Sequence, residues 1–347
     1  MTKCIALTAS NERCRFSRTK INNLNMFCRV HYNQYSRNKK SGGHIYNQRF
    51  DSVVSEIETI IPNSFLEEYK IESLLGFGSF GYVFKIKNIE NNHHYAMKIN
   101  YELLNTNKQN RKVQVEYMNR ITSIMQTEYN LMLNKFKDID GIIKAIPNEL
   151  KVIHNAKCVM CYYITKLYGD TLNRTFDNFD QKFTQKQIKQ IGYQLATTIN
   201  QLHNKGYLYI DLHLDNILLR KDSIDDIVII DLGLIVKIEK AEIEYNGNPY
   251  GMQVYVGVNG NFSETPNKLG DYQSICYILM YLTLGYLPWY KDFNNPVKIG
   301  TSKVALTKGK DFGKLPTWLR TFIFHIYNDY PTEFENPDIK TILKLLS

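Results

Sequence analysis

The hydrophobic positions of this chain follow two rhythms, one of period two and one of period 3.6, in an ordered succession. Residues 51–61 (DSVVSEIETII) read as a short amphipathic helix able to dock on the body of the chain. Ile71-Glu72-Ser73-Leu74-Leu75 alternates like a strand and runs into glycines at 76, 78 and 81. Tyr82 to Lys87 is β-branched and aromatic and predicts a second strand, and Tyr95-Ala96-Met97-Lys98-Ile99 predicts a third. A long helix is expected over 111–136, a strand over 158–165 (CVMCYYIT), a helix over 184–204 and an apolar strand over 227–230. The longest apolar stretch, Ile275 to Trp289, is broken by Thr283 and Gly285 and falls short of the roughly 20 residues that span a bilayer. It predicts a buried core helix.

Composition adds size and compartment. With 44% hydrophobic and 13% aromatic residues the chain can bury a large core. A body of about 280–300 residues is at the upper end of what one core supports, so two lobes are expected. The N-terminus carries Arg and Asn where a secretory leader needs an apolar segment, which predicts an intracellular protein, cytoplasmic or nuclear, without disulfides or membrane attachment. A monomer is expected. Richness in Asn, Ile, Lys and Tyr fits an AT-rich or viral genome.

Charge divides the chain. The net +9 resides entirely in residues 1–49, which hold ten of the 43 basic side chains and one of the 34 acids; the other 298 residues are neutral. That excludes a uniformly basic nucleic-acid-binding protein and leaves a basic arm on a neutral body. Three of six cysteines, Cys4, Cys14 and Cys28, fall in this arm, and His31 closes a Cys-x2-His pair. Four N/S ligands suit tetrahedral zinc, and a segment too short for a core would draw its folding energy from the metal. The spacing resembles small Cys3His zinc modules; the competing reading is a basic tail with incidental cysteines. Arg13, Arg15, Arg18, Lys20 and Arg29, interleaved with Phe16, Phe27 and Tyr32, would suit nucleic acid or another polyanion, although a solvated face or a targeting signal explains the same residues. The expected division is 1–45 for this module, 46–65 for a linker and short helix, then 66–168 and 169–347 for the two lobes.

In Gly76-Phe77-Gly78-Ser79-Phe80-Gly81 the glycines stand between two strands, whereas a dinucleotide fold would open a helix at the third. A hairpin tip of this kind lets backbone amides approach phosphates without Cβ interference. With Lys98 fifteen residues beyond Val83, the set resembles the glycine-rich loop and strand lysine of protein kinases. That resemblance implies an α+β, bilobal fold with a small antiparallel sheet in the first lobe and a mostly helical second lobe. It also implies that Val83 and Ala96 sandwich adenine, that Thr165 is the gatekeeper with Leu167 in the hinge, and that Lys98 holds the α and β phosphates against a helix glutamate. Glu116 and Glu128 are both available, and the spacing to Gly141-Ile142 favours Glu128.

The run Tyr209-Ile210-Asp211-Leu212-His213-Leu214-Asp215-Asn216 contains Asp-x4-Asn, and fifteen residues later an apolar strand delivers Asp231-Leu232-Gly233. One carboxylate to accept the hydroxyl proton and an amide oxygen and second carboxylate to hold magnesium is what phosphoryl transfer asks for. The resemblance assigns Asp211 as base, Asn216 and Asp231 as Mg2+ or Mn2+ ligands, ATP as donor and protein serine or threonine hydroxyls as acceptors. Two departures stand out. Ile210 replaces the arginine that clamps a phosphorylated activation loop, so activation by loop phosphorylation is not expected, and His213 replaces the lysine that neutralises the γ-phosphate. Asp271-x2-Ser274-x2-Tyr277 with Leu287-Pro288-Trp289, and the ending Pro337-Asp338, resemble the casein kinase 1 and vaccinia-related kinase clan, in which the aspartate caps the buried helix and ties back to the catalytic loop. The competing functions are a pseudokinase scaffold, which would usually have lost Lys98, Asp211 or Asp231, and a nucleic-acid-associated phosphotransferase using the basic arm.

Overall fold

The computed structural model describes residues 53–347, apart from 79–80, 105–106, 181, 221–222, 245–246, 248 and 329–336. Cys4, Cys14, Cys28 and His31 therefore lie outside the described residues, as do Ser79 and Phe80. Two compact units separate: the first takes the chain up to Tyr129 together with Ala145–Leu167, the second Asn130–Lys144 and Tyr168–Ser347. Residues 130–144 belong to the second unit because Ile229 N–H donates to Gly141 O at 2.8 Å and Ile143 N–H donates to Ile229 O at 3.0 Å.

In the first unit, helices α1 (53–58) and α2 (Asn63–Glu68) precede an antiparallel sheet of β1 (Tyr69–Gly78), β2 (Gly81–Asn88), β3 (His94–Leu103), β4 (Ala145–His154) and β5 (Cys158–Lys166), in the order β1-β2-β3-β5-β4. Helix α3 (Lys108–Asn130) lies between β3 and β4 in sequence. Period-two alternation sends Phe84, Ile86, Met97, Ile99, Tyr162 and Ile164 to one face, where Val53, Ile57 and Ile61 of the leading segment and Phe65 of α2 cover them. The amphipathic stretch predicted to dock does so, as part of this core. The opposite face carries Val83 across from Lys98 and Ala96 across from Thr165. β5 is buried along nearly its whole length, Cys158 and Cys161 included. Burial raises both thiols, Cys161 to about 12, so they stay protonated core side chains.

The second unit is mostly helical: α4 (Leu172–Asn178), α5 (Gln185–Asn204), α6 (Ala241–Glu244), α7 (Val258–Phe262), α8 (Lys268–Leu284), α9 (Pro296–Val304), α10 (Thr317–Asn328) and α11 (Ile339–Leu346). Two short ribbons join them, β6 (Tyr207–Leu208) with β9 (Val236–Lys237), and β7 (Ile217–Arg220) with β8 (Ser223–Ile229). α5 opens on a Thr184–Gln187 capping box and buries Ile188, Ile191, Leu195, Ile199 and Leu202 at helical spacing. α8 is buried on nearly every face and closes on Gly285 at φ 76°. The expected core helix is there, but its N-cap is Asn267, whose side chain accepts from Gly270 N–H. Asp271, expected both to cap α8 and to tie back to the catalytic loop, sits a turn further in and leaves the cap to Asn267. Among the described residues no helix is long and apolar enough to cross a membrane.

Candidate active site

The site divides into two sets of residues, each assembled within its own unit. In the first unit the β1–β2 hairpin pairs Gly76 with Val83, Phe77 with Tyr82 and Gly78 with Gly81. Gly81 has φ +107°, and a Cβ there would lie 2.1 Å from Ile99 O, so backbone geometry itself demands glycine. At Gly76 nothing lies within 4 Å of where a Cβ would stand. Steric crowding by the described residues therefore does not explain that glycine.

Lys98 points from β3 to α3, where its Nζ lies 2.8 Å from Glu128 Oε2. The carboxylate is buried, the ammonium nearly so. Glu116, the other candidate, is exposed and pairs with Lys112 at 3.9 Å. The twelve residues between the two acids amount to about 120° of rotation on a helix, so only one of them faces the sheet. Val83, Ala96 and Thr165 line the same sheet face beside Lys98, and Thr165 Oγ1 donates to Lys166 O at 3.2 Å. Leu167 ends the first unit directly after β5.

In the second unit the loop after β6 is held from below. Asp271 Oδ2 accepts from Tyr209 N–H at 2.9 Å and lies 2.8 Å from His203 Nε2; Oδ1 accepts from Ile210 N–H at 2.8 Å. The aspartate thus ties back to the loop as the resemblance implied, while the cap falls to Asn267. The loop is strained where it is gripped: Ile210 sits at φ 73° and Asp231 at φ 59°. A β-branched residue in the left-handed region costs on the order of 1–3 kcal/mol and persists only where its surroundings over-determine it. Tyr209 OH donates to Ile230 O and to Asp231 O, joining the two loops.

The chemistry-bearing side chains converge from these supports. Asp211 Oδ1 accepts from Met252 N–H at 2.7 Å, and Asn216 Nδ2 donates to Asp211 O at 3.0 Å, which leaves the Asn216 amide oxygen to face elsewhere. Ile230 N–H donates to Asn216 O at 2.9 Å, linking the Asn216 turn to the strand end that presents Asp231. Asp231 Oδ1 accepts from Gly233 N–H at 3.3 Å. His213 is buried with Nε2 3.7 Å from Asp211 Oδ2. Burial alone would raise Asp211 and lower His213; their mutual attraction, with Met252 N–H and Asn216 on the acid and Asp215 and Asp231 near the imidazole, reverses both directions. Asp211 is held ionised, and His213 is drawn toward its cationic form.

Met252, Gly251, His203 and Tyr209 carry no mark in the sequence that would single them out. Gly251 has φ +62°, and its Cβ would come 3.2 Å from Ile210 O and 3.4 Å from Asp211 Oδ1. A Gly-Met pair in a loop gives no sign of this by itself, because the contact joins residues about forty positions apart. Among the described residues no group of three or more His, Cys, Asp or Glu side chains is arranged to hold a metal ion, Cys158 and Cys161 included. Residues 69–318 match the family model for the protein kinase domain.

Proposed function

The chain belongs to the protein kinase family, and from that premise we propose that it is a magnesium-dependent serine/threonine kinase that moves the ATP γ-phosphate to protein hydroxyls. The observation that carries the reading is the geometry of the Asp211 loop: Asp271 grips the Tyr209 and Ile210 amides, Ile210 sits in the left-handed region, and Met252 N–H donates to Asp211 Oδ1. Such strain marks a position built for chemistry.

The residues fit the groups that the family uses. Asn216 and Asp231 offer an amide oxygen and a carboxylate, the hard donors that Mg2+ prefers, on two loops tied together by Tyr209 and by the Ile230 amide. Bound there, the metal would neutralise charge on the phosphate oxygens. Lys98, fixed by Glu128, would hold the α and β phosphates beneath the backbone amides at Gly76, Phe77, Gly78 and Gly81, with Val83, Ala96 and Thr165 against the adenine and Leu167 beside it. The acceptor hydroxyl oxygen forms a bond to the γ-phosphorus as the bond to the β-phosphate oxygen breaks. ADP leaves with that electron pair, and the hydroxyl proton passes to Asp211. Catalysis in this scheme is positioning and charge neutralisation more than covalent chemistry. His213, paired with Asp211, supplies positive charge where the family places lysine.

Serine/threonine preference and kinship with the casein kinase 1 clan rest on the Leu287-Pro288-Trp289 and Pro337-Asp338 segments, and intracellular location on the sequence. Radiolabel transfer from ATP and magnesium to an acidic casein-like substrate tests the proposal. Asp211→Asn is expected to lower kcat by about 10²–10⁴-fold with little change in the KM for ATP. Equal transfer by both proteins, or none by either, would sink it.

A further inference from the structure

Lys303, in the last turn of α9, is fully buried, and the mechanism above gives it no role. A lysine in such a place would ordinarily have a carboxylate partner, but its three ammonium hydrogens meet three neutral oxygens: Gln253 O at 2.9 Å, Val256 O at 2.6 Å and Asn261 Oδ1 at 2.9 Å. The ring of Tyr277 lies 4.5 Å from Nζ and that of Trp289 5.7 Å. Three acceptors use up the three donors of an ammonium, whereas a neutral amine could satisfy only two of them. Burial pushes the Lys303 pKa well down; three acceptors and two ring faces are the surroundings that favour the ammonium over the neutral amine.

All of these acceptors belong to one turn or to its anchor. Residues 250–256 fold on themselves, with Tyr255 and Val256 N–H both donating to Met252 O at 2.8 Å. The inward carbonyls of Gln253 and Val256 go to Lys303, that of Val254 accepts from Trp289 Nε1 at 2.9 Å, and Asn261 Nδ2 also donates to Gln253 O at 2.9 Å. The other side of the same turn meets the catalytic loop: Met252 N–H donates to Asp211, and the Tyr255 ring tilts against His213 with centroids 6.5 Å apart.

We infer that Lys303 is a positioning residue for catalysis, a buried cation that gathers the Gln253 and Val256 carbonyls on one side so that Met252 N–H and the Tyr255 ring are fixed against Asp211 and His213 on the other. The inference rests on the assignment of Asp211 as the catalytic carboxylate. It asks for a charged donor at 303, not merely for bulk.

Amide hydrogen exchange and steady-state kinetics on the full chain test it, comparing wild type with Lys303→Met and Lys303→Arg. Lys303→Met keeps the volume and loses the donors. The expected result is a folded protein in which the Met252 amide exchanges faster while amides of α8 do not. kcat per folded molecule should fall about tenfold, with the KM for ATP within about twofold, and Lys303→Arg should recover part of both changes. A Met252 amide as protected as in wild type, with kcat unchanged, would overturn the inference and leave Lys303 a packing residue. Should Lys303→Met not fold, Asn261→Ala takes its place, because it removes one acceptor and the brace on Gln253; faster Met252 exchange supports the inference, and unchanged exchange overturns it. If the wild-type chain transfers no phosphate, the kinase reading fails on its own, and the exchange comparison still decides the role of Lys303.

Discussion

Single residues here gain their chemistry from partners distant in sequence, and the Lys98–Glu128 pair shows the energetic side of this. The pair is almost wholly removed from water, with 13% and 2% side-chain exposure. Two charges in that setting stabilise little as a pair, because desolvation offsets their attraction, yet removing one leaves the other buried and uncompensated at a cost of about 3–5 kcal/mol. Lys98→Met is therefore expected to destabilise the chain by roughly that amount in urea unfolding, and Lys98→Met with Glu128→Leu by clearly less than the single change. Both variants should be inactive, since the nucleotide has lost its anchor in each. Additive destabilisation in the double variant would mean that the ion pair is not what couples the two positions. Asp211 and His213 follow the same logic at 3.7 Å: burial opposes both charges, and each favours the charged form of the other.

Elements were legible where their information is local. The β1–β2 hairpin follows from alternation and α8 from an apolar run, α5 matches the helix expected over 184–204, and the Asp-x4-Asn and Asp231-Leu232-Gly233 spacings mark the loops between them. What the pattern could not supply is contact between elements. The tie from Asp271 to the catalytic loop comes from the resemblance and not from the pattern; Asn267 satisfies the helix end, which frees the carboxylate to grip the amides of Tyr209 and Ile210 some sixty residues away. Glu116 and Glu128 share one helix; the spacing to Gly141-Ile142 favours Glu128, and it is Glu128 that lies 2.8 Å from Lys98. Lys303 reads as one more surface lysine until α9 is packed. The turn at Phe312–Lys314 is a smaller case with a pH signature: Asp311 Oδ1 accepts from Lys314 Nζ at 2.7 Å and from Tyr286 OH at 2.9 Å, anchoring the segment after α9 to the end of α8. Lys314 chiefly, and Tyr286 against a burial cost, hold the Asp311 carboxyl below its ordinary 3.8. A carboxyl lowered on folding contributes stability that is present above its unfolded pKa and lost as pH falls through the folded one. Asp311→Asn should thus lower the melting temperature at neutral pH, and the difference from wild type should shrink as pH drops below 3.8. A difference that persists at lower pH would assign the effect to packing.

At the scale of the whole molecule the charge asymmetry of the sequence acquires a boundary. The described core begins at Val53, which packs with Ile57 and Ile61 under the first sheet, and the kinase-domain match begins at residue 69. The net +9 lies before both, in residues 1–49, and the remaining 298 residues balance 33 basic against 33 acidic side chains. Removing residues 1–45 therefore takes away nine of the ten arm cations and none of the described core. If the arm recruits nucleic acid or another polyanion, affinity must come largely from counterion release, so log K should fall linearly with log salt for the full chain, by about 0.7–0.9 per phosphate contacted. The truncated chain should show neither the affinity nor the slope, while its kcat and KM for ATP stay near those of the full chain. If Cys4, Cys14, Cys28 and His31 hold zinc, the full chain should carry one equivalent by metal analysis and the truncated chain none, and a zinc-selective chelator, with magnesium kept in excess, should abolish polyanion binding without touching ATP turnover. Salt-sensitive binding that survives the truncation would place the polyanion on the neutral body instead. A fall in ATP turnover on truncation would make the arm part of the catalytic machinery, which the separation of charge from core argues against.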